Sequence, residues 1–158
     1  MGIGYEVKCL KCYYANDFML GDGFSYEENH REIINKIQKG EYGNQHINFL
    51  NDHSNGLITT ERVVIRCSCC DELYSAPELS MYIPDENHKN MGWNFYYPLF
   101  HGTFEDRFEI FRKYRHVCKR CGGPATVVED FENKLNTGEI ICPRCKNVIT
   151  ESCKYFWD

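Results

Sequence analysis

The chain has 158 residues, 42% hydrophobic and 26% charged, with a formal net charge of −5. Those are the proportions of a folded domain and exclude a disordered tail. The longest uninterrupted apolar run is the four residues from Cys12 to Ala15, against about 20 for a membrane-crossing helix. The acidic balance argues against nucleic-acid binding as the default, since phosphate contacts need surplus positive charge.

Tyr5 to Lys8 alternates like a strand and runs into Cys9 and Cys12. Ser25-Tyr26-Glu27-Glu28 is a capping box. It predicts a helix to about Lys39, with Ile33, Ile34 and Ile37 on one side and Gly40 as the stop. A second short helix is expected over Gln45 to Asp52. Glu61 to Arg66 reads as a strand into Cys67-Ser68-Cys69-Cys70. Leu79 to Ile83 alternates again, and Pro84 to Asn87 is a turn. Trp93 to Phe100 is the most aromatic stretch. Thr103 to Phe111 has a T-x-x-D box and phenylalanines at helical spacing, so a short helix is expected there, then a strand into Cys118, although Phe108/Ile110 and Arg112/Tyr114 also fit a strand. Beyond it, Ala125 to Val128 and Glu139 to Ile141 read as strands joined by a polar loop containing Asn136-Thr137-Gly138. Further strands are expected over Asn147 to Thr150 and Cys153 to Trp157.

Ten cysteines carry the chemistry. Eight form four pairs of the type C-x2-C: Cys9/Cys12, Cys67/Cys70, Cys118/Cys121 and Cys142/Cys145. The opening MGIGYEVK has neither the basic stretch nor the apolar core of a secretory signal. The expected compartment is therefore a reducing cytoplasm, where such pairs read as metal ligands, not disulfides. Two thiolates on one tight turn can both reach an ion at about 2.3 Å, and the turn amides offset their charge. Gly after the second Cys suits the turn because it accepts positive φ; Gly122 meets this, while Tyr13, Asp71 and Lys146 do not.

Residues 116–150 read C-x2-C-x20-C-x2-C, which places Cys118, Cys121, Cys142 and Cys145 around one ion. The same logic groups Cys9, Cys12, Cys67 and Cys70 around another, across 54 intervening residues. Spacing favours Cys70 over Cys69 as the ligand. The stretches YEVKCLKCYYANDFMLGDGFSY, the helix with KGEYG, the second cysteine turn and LSMYIP resemble a set of small bacterial zinc-ribbon proteins of unassigned function. Residues 116–150 are similar to zinc ribbons generally. The resemblance implies a helix inserted in the first ribbon, with Cys9, Cys12, Cys67 and Cys70 as its ligands.

The expected fold class is α+β: two zinc-ribbon-like antiparallel β units with a helical insertion in the first. The expected organisation is a ribbon over 1–83 with its insertion at about 25–52, an aromatic connector over 84–115 packing on both ribbons, and a compact ribbon over 116–158. Four thiolates per ion leave no open position for water, so two structural Zn2+ ions are expected and no enzyme. A rubredoxin-like iron site, an electron carrier, uses the same ligands. His30-Arg31-Glu32 suggests a zinc deaminase, but none of the cysteine pairs is preceded by proline as P-C-x-x-C requires. His30 reads as a helix-surface residue, and Cys153 as a small buried one. Residues 1–106 carry 8 basic and 16 acidic side chains, residues 107–158 carry 10 and 7. The acidic half suits a protein partner. Arg112, Lys113, Arg115, Lys119, Arg120, Arg144 and Lys146 would surround the second ion and give a nucleic-acid face as the alternative, with Tyr114 as a stacking residue. No membrane association is expected.

Overall fold

The computed structural model describes residues 2–23, 25–88 and 107–157. It is a mixed α+β protein of small antiparallel sheets and few helices. Its contacts fall into two units that interleave along the chain. One comprises Met1–Tyr26, Glu61–Glu78 and Arg115–Asp158; the other comprises Glu27–Thr60 and Leu79–Tyr114. Among the described residues no helix is long and apolar enough to cross a membrane.

The first unit holds two sheets. In one, β1 (Gly2–Lys8) lies between β2 (Ala15–Leu20) and β10 (Thr150–Trp157). In the other, β4 (Arg62–Cys67) lies between β5 (Leu73–Pro77) and β9 (Pro124–Val127), and β8 (His116–Val117) extends β9. The inner face of β1 presents Tyr5 and Val7, which are buried with Phe18, Val64, Leu73 and Ile149. Onto them packs a six-residue helix, α3 (Phe131–Asn136), through Phe131 and Leu135. The Phe131 ring meets Tyr5 and Phe18 edge-on at 5.9 and 5.2 Å, the geometry aromatic quadrupoles favour. The outer face of β1 is built differently. Gly4 pairs with Tyr155 and Gly2 with Trp157, and both rings lie where a Cβ would stand. Laid flat over the glycines, they reach β2: Tyr155 donates to the Asp17 carboxylate at 2.6 Å and the Trp157 indole to the Leu20 carbonyl at 3.2 Å.

The second unit carries α1 (Tyr26–Gln38), α2 (Asn44–Asp52) and a sheet in which β6 (Met81–Pro84) lies between β3 (Leu57–Ile58) and β7 (Phe108–Arg112). Ile33 and Ile37 face inward to Phe49, Ile58, Leu79 and Met81. The first helix ends as its glycine dictates. Gly40 has φ 81°, its N–H donates to Ile37 and the Glu41 N–H donates to Lys36, which satisfies two terminal carbonyls as in a Schellman cap.

Several sequence expectations need correction. Phe108–Arg112 is a strand paired with β6, not the end of a helix; Phe108 is buried, while Phe111 lies against Phe49 and His53 at ring distances of 5.2 and 4.8 Å. Tertiary pairing outweighs the helical spacing of the phenylalanines here. The loop expected after Val128 contains α3. Glu139 to Ile141 forms no strand beyond a single bridge from Ile141 to Val148. The aromatic stretch Trp93 to Phe100 lies outside the described residues.

Candidate metal centres

Four hairpin turns of one design carry the cysteine pairs. In each, the first cysteine donates its N–H to the carbonyl five residues on. The N–H four residues on returns to the carbonyl of that cysteine. The first bond measures 2.7 Å from Cys9 to Tyr14, 2.9 Å from Cys67 to Glu72, 2.8 Å from Cys118 to Gly123 and 2.7 Å from Cys142 to Asn147. The return bonds, from Tyr13, Asp71, Gly122 and Lys146, measure 3.0, 3.1, 2.9 and 3.0 Å. All four return donors have left-handed backbone, with φ of 57°, 58°, 73° and 61°. The demand for positive φ after the second cysteine is therefore met at every turn, by glycine once and by ordinary residues three times. The first cysteine of every pair is buried. The second is half-buried, or exposed in the case of Cys121.

The turns meet in two groups: Cys9, Cys12, Cys142 and Cys145, and Cys67, Cys70, Cys118 and Cys121. Within each group all sulfurs lie within 4.8 Å of one another. The shortest approaches are 3.4 Å from Cys9 to Cys145, 3.5 Å from Cys12 to Cys142, 3.4 Å from Cys67 to Cys121 and 3.7 Å from Cys70 to Cys118. A tetrahedron with 2.3 Å metal–sulfur bonds has an edge of about 3.8 Å. Either group could hold one metal ion with four thiolate ligands.

All eight expected cysteines are thus brought into clusters, but not in the expected partition. The first turn joins the fourth, and the second joins the third. Strand pairing decides this. β1 runs into the Cys9 turn and pairs along seven positions with β10, which follows the Cys145 turn. β4 runs into the Cys67 turn and pairs with β9, which follows the Cys121 turn. The nested arrangement closes loops of 129 and 47 residues where the sequential one would close 54 and 20. Loop entropy grows only logarithmically, so the difference is about 1.5 kcal/mol. Burial of a single aromatic side chain outweighs it. Cys70, not Cys69, faces the cluster, as spacing favours.

Local hydrogen bonds set which sulfurs ionise first. The Cys67 thiol receives backbone N–H groups from Cys70 at 3.4 Å and Cys69 at 3.3 Å. They pull it down to about 6 against the opposing effect of burial. The backbone N–H of Asn147 does the same for Cys145, also to about 6, with the Asn147 amide 3.4 Å from the sulfur. Cys121 and Cys12 go the other way. A backbone N–H, of Gly123 and of Tyr14 respectively, favours each thiolate, yet the crowded neighbouring thiols and burial push both up to about 12. Four thiolates cannot share one site without a cation. Loading an ion must therefore expel protons.

Basic residues expected around one ion are divided between the two centres. Lys119 and Arg120 stand on the Cys118 turn, where Arg120 donates to Glu72 at 2.8 Å and Lys119 lies 5.8 Å from the Tyr74 ring centre. Arg144 and Lys146 stand on the Cys142 turn. Arg144 lies 5.5 Å over Tyr14, and Lys146 pairs with Asp71, which also takes Arg66 at 2.9 Å. Those two cations hold the Asp71 carboxyl below its usual range, Lys146 foremost. Asp71 and Lys146 are the left-handed residues of two different turns, so this pair ties one centre to the other. Arg112 and Lys113 belong to the second unit and Arg115 to the first.

Other expectations shift with burial. His30 is buried rather than on the helix surface, with Nδ1 3.1 Å from the Thr60 hydroxyl; desolvation lowers it to about 4. Cys153 is exposed, not buried. Tyr114 packs 5.1 Å from His46 and donates its backbone N–H to Ser80 at 3.0 Å. His116 is buried and lowered by that burial. The contributions of Asn147 and Asp71 were missed, although each sits at a fixed offset from its cysteine turn. No family model, no curated protein and no solved structure matches this chain.

Proposed function

We propose that both clusters are structural zinc sites of the zinc-ribbon kind and that the chain is a protein-interaction module mounted on them. The observation that carries the metal reading is the convergence of four thiols, from two turns of identical hydrogen bonding, at each centre. Four thiolates fill a tetrahedral ion and leave no position for water or substrate, which suits structure and not catalysis. Two ions per chain are expected, with an absorption spectrum lacking iron–thiolate bands. Elemental analysis of natively purified protein tests this. Iron at either centre would instead make the protein an electron carrier.

A partner surface is supported by the tip of the first turn. Tyr13 is held in left-handed backbone at φ 57° and is 88% exposed, and Leu10 on the same turn is 73% exposed. The turn accounts for the backbone of Tyr13 but not for an aromatic side chain left in water there. A specific partner captured by the wild-type chain is expected to be lost with Leu10→Ser and Tyr13→Ser together, while both ions remain. Capture unchanged by that double substitution would count against the surface.

A further inference from the structure

The two centres differ in one respect that bears on their chemistry. At the Cys9 centre no cysteine is exposed, and no thiol stands between the ligands of either turn. At the Cys67 centre Cys121 is exposed, and a fifth thiol, Cys69, stands exposed between Cys67 and Cys70. Gly123 shows how close that thiol comes to the ligands. A Cβ at Gly123 would stand 2.6 Å from the Cys69 sulfur and 3.3 Å from the Cys121 sulfur. The absent side chain lets both sulfurs pack against one point, and the Gly123 N–H also donates to the Cys121 sulfur at 3.4 Å. Gly123 has no positive φ to satisfy, so room for these two sulfurs is what the glycine provides.

We propose that Cys69 and Cys121 are an oxidation site: a peroxide links them as a disulfide and makes the Cys67 centre, but not the Cys9 centre, release its ion. The chemistry balances with peroxide as the only added reagent. The Cys69 thiol attacks one peroxide oxygen, the O–O bond breaks, water leaves, and Cys69 becomes a sulfenic acid. The Cys121 thiolate then attacks the Cys69 sulfur, the S–O bond breaks, hydroxide leaves, and the disulfide forms. Each sulfur gives one electron and peroxide takes two. The centre keeps three of its four ligands, and its hold on the ion falls accordingly.

This rests on the metal reading above, and the experiment separates the two. Full-length protein is first counted for zinc, then treated with hydrogen peroxide. Released zinc is followed with a chromogenic chelator, and disulfides are mapped by peptide mass spectrometry. The expected result is two ions before treatment, release of one, a Cys69–Cys121 disulfide, and at least tenfold slower release from Cys69→Ser. Cys153→Ser removes the other exposed non-cluster thiol and is expected to behave as wild type. Equal release from wild type and Cys69→Ser, or a disulfide to any other cysteine, would overturn the oxidation site while leaving the metal reading intact. Fewer than two ions before peroxide would overturn both.

Discussion

Replacing Cys9, Cys12, Cys142 and Cys145 together with serine distinguishes the nested partition from the sequential one. In the nested structure the four substitutions remove one centre entirely and leave Cys67, Cys70, Cys118 and Cys121 around the other, with sulfur approaches of 3.4 and 3.7 Å. In a sequential arrangement the same substitutions would strip two ligands from each centre. A structural zinc site contributes about 10–16 kcal/mol of binding free energy, or about 2.5–4 kcal/mol per thiolate. A half-stripped site should bind about 10⁴- to 10⁶-fold more weakly. The variant is therefore expected to retain one tightly held zinc against a competing chelator. Substituting Cys9, Cys12, Cys67 and Cys70 should leave none held tightly. Equilibrium dialysis followed by elemental analysis reads both. A tight ion in the second variant and none in the first would refute the partition.

Three other outcomes test other levels of the structure. Gly4→Ala puts a methyl group into the space of the Tyr155 ring; a cost of about 1–3 kcal/mol is expected, and an unchanged thermal midpoint would contradict the ring's placement. Tyr13→Gly relieves a left-handed residue worth about 1–2 kcal/mol, offset by the extra freedom of glycine in the unfolded chain. Urea unfolding should show a change between zero and about 1 kcal/mol of stabilisation, and Gly122→Ala the reverse; a loss exceeding 1 kcal/mol in Tyr13→Gly would count against the turn geometry. Burial depresses His30 from 6.5 to about 4, so the unfolded chain takes up the proton first. Stability is full above about pH 6.5 and falls as pH drops toward 4, by at most about 1.4 kcal/mol per pH unit from this group. His30→Gln should flatten that part of the profile of the helical unit; an unaltered slope would place the loss elsewhere.

The turns were legible and the partition was not, for a physical reason. A C-x2-C turn is a local object whose amides, left-handed residue and strand flanks all lie within six residues. The helices of the second unit were legible on the same ground, through the apolar spacing of Ile33, Ile34 and Ile37 and the stop at Gly40. Which turn meets which is decided by strand pairs about 60 and about 150 residues apart, and spacing carries little of that energy. One signal was present. Gly2 and Gly4 alternate on β1, and Tyr155 and Trp157 alternate on β10 in matching antiparallel register. Small residues facing large aromatics across a strand pair mark that register. The helix α3 was hidden because six residues give too little periodicity, and only the Phe131/Leu135 spacing betrays its buried side. Phe108–Arg112 failed in the opposite sense, as a strand whose phenylalanines fall by chance at helical intervals.

Nesting the two centres has a consequence for the second unit. Its two segments, Glu27–Thr60 and Leu79–Tyr114, are both excursions from the cysteine-bearing unit. The first leaves after β2 and returns to β4; the second leaves after β5 and returns to β8. Each therefore starts on the strand following one cysteine turn and ends on the strand preceding the next. The core of the second unit draws Ile33, Ile37, Phe49 and Ile58 from one excursion and Leu79 and Met81 from the other. It cannot form until both are gathered. Closing a loop of that length costs about 4 kcal/mol, comparable with the whole stability of a small domain. An ion held at each centre would fix the four turns and with them the anchor strands, and so would remove much of that cost before a single isoleucine of the second unit is buried. On the structural-metal proposal the two centres would thus support residues that touch no sulfur, in a chain whose two units alternate along the sequence.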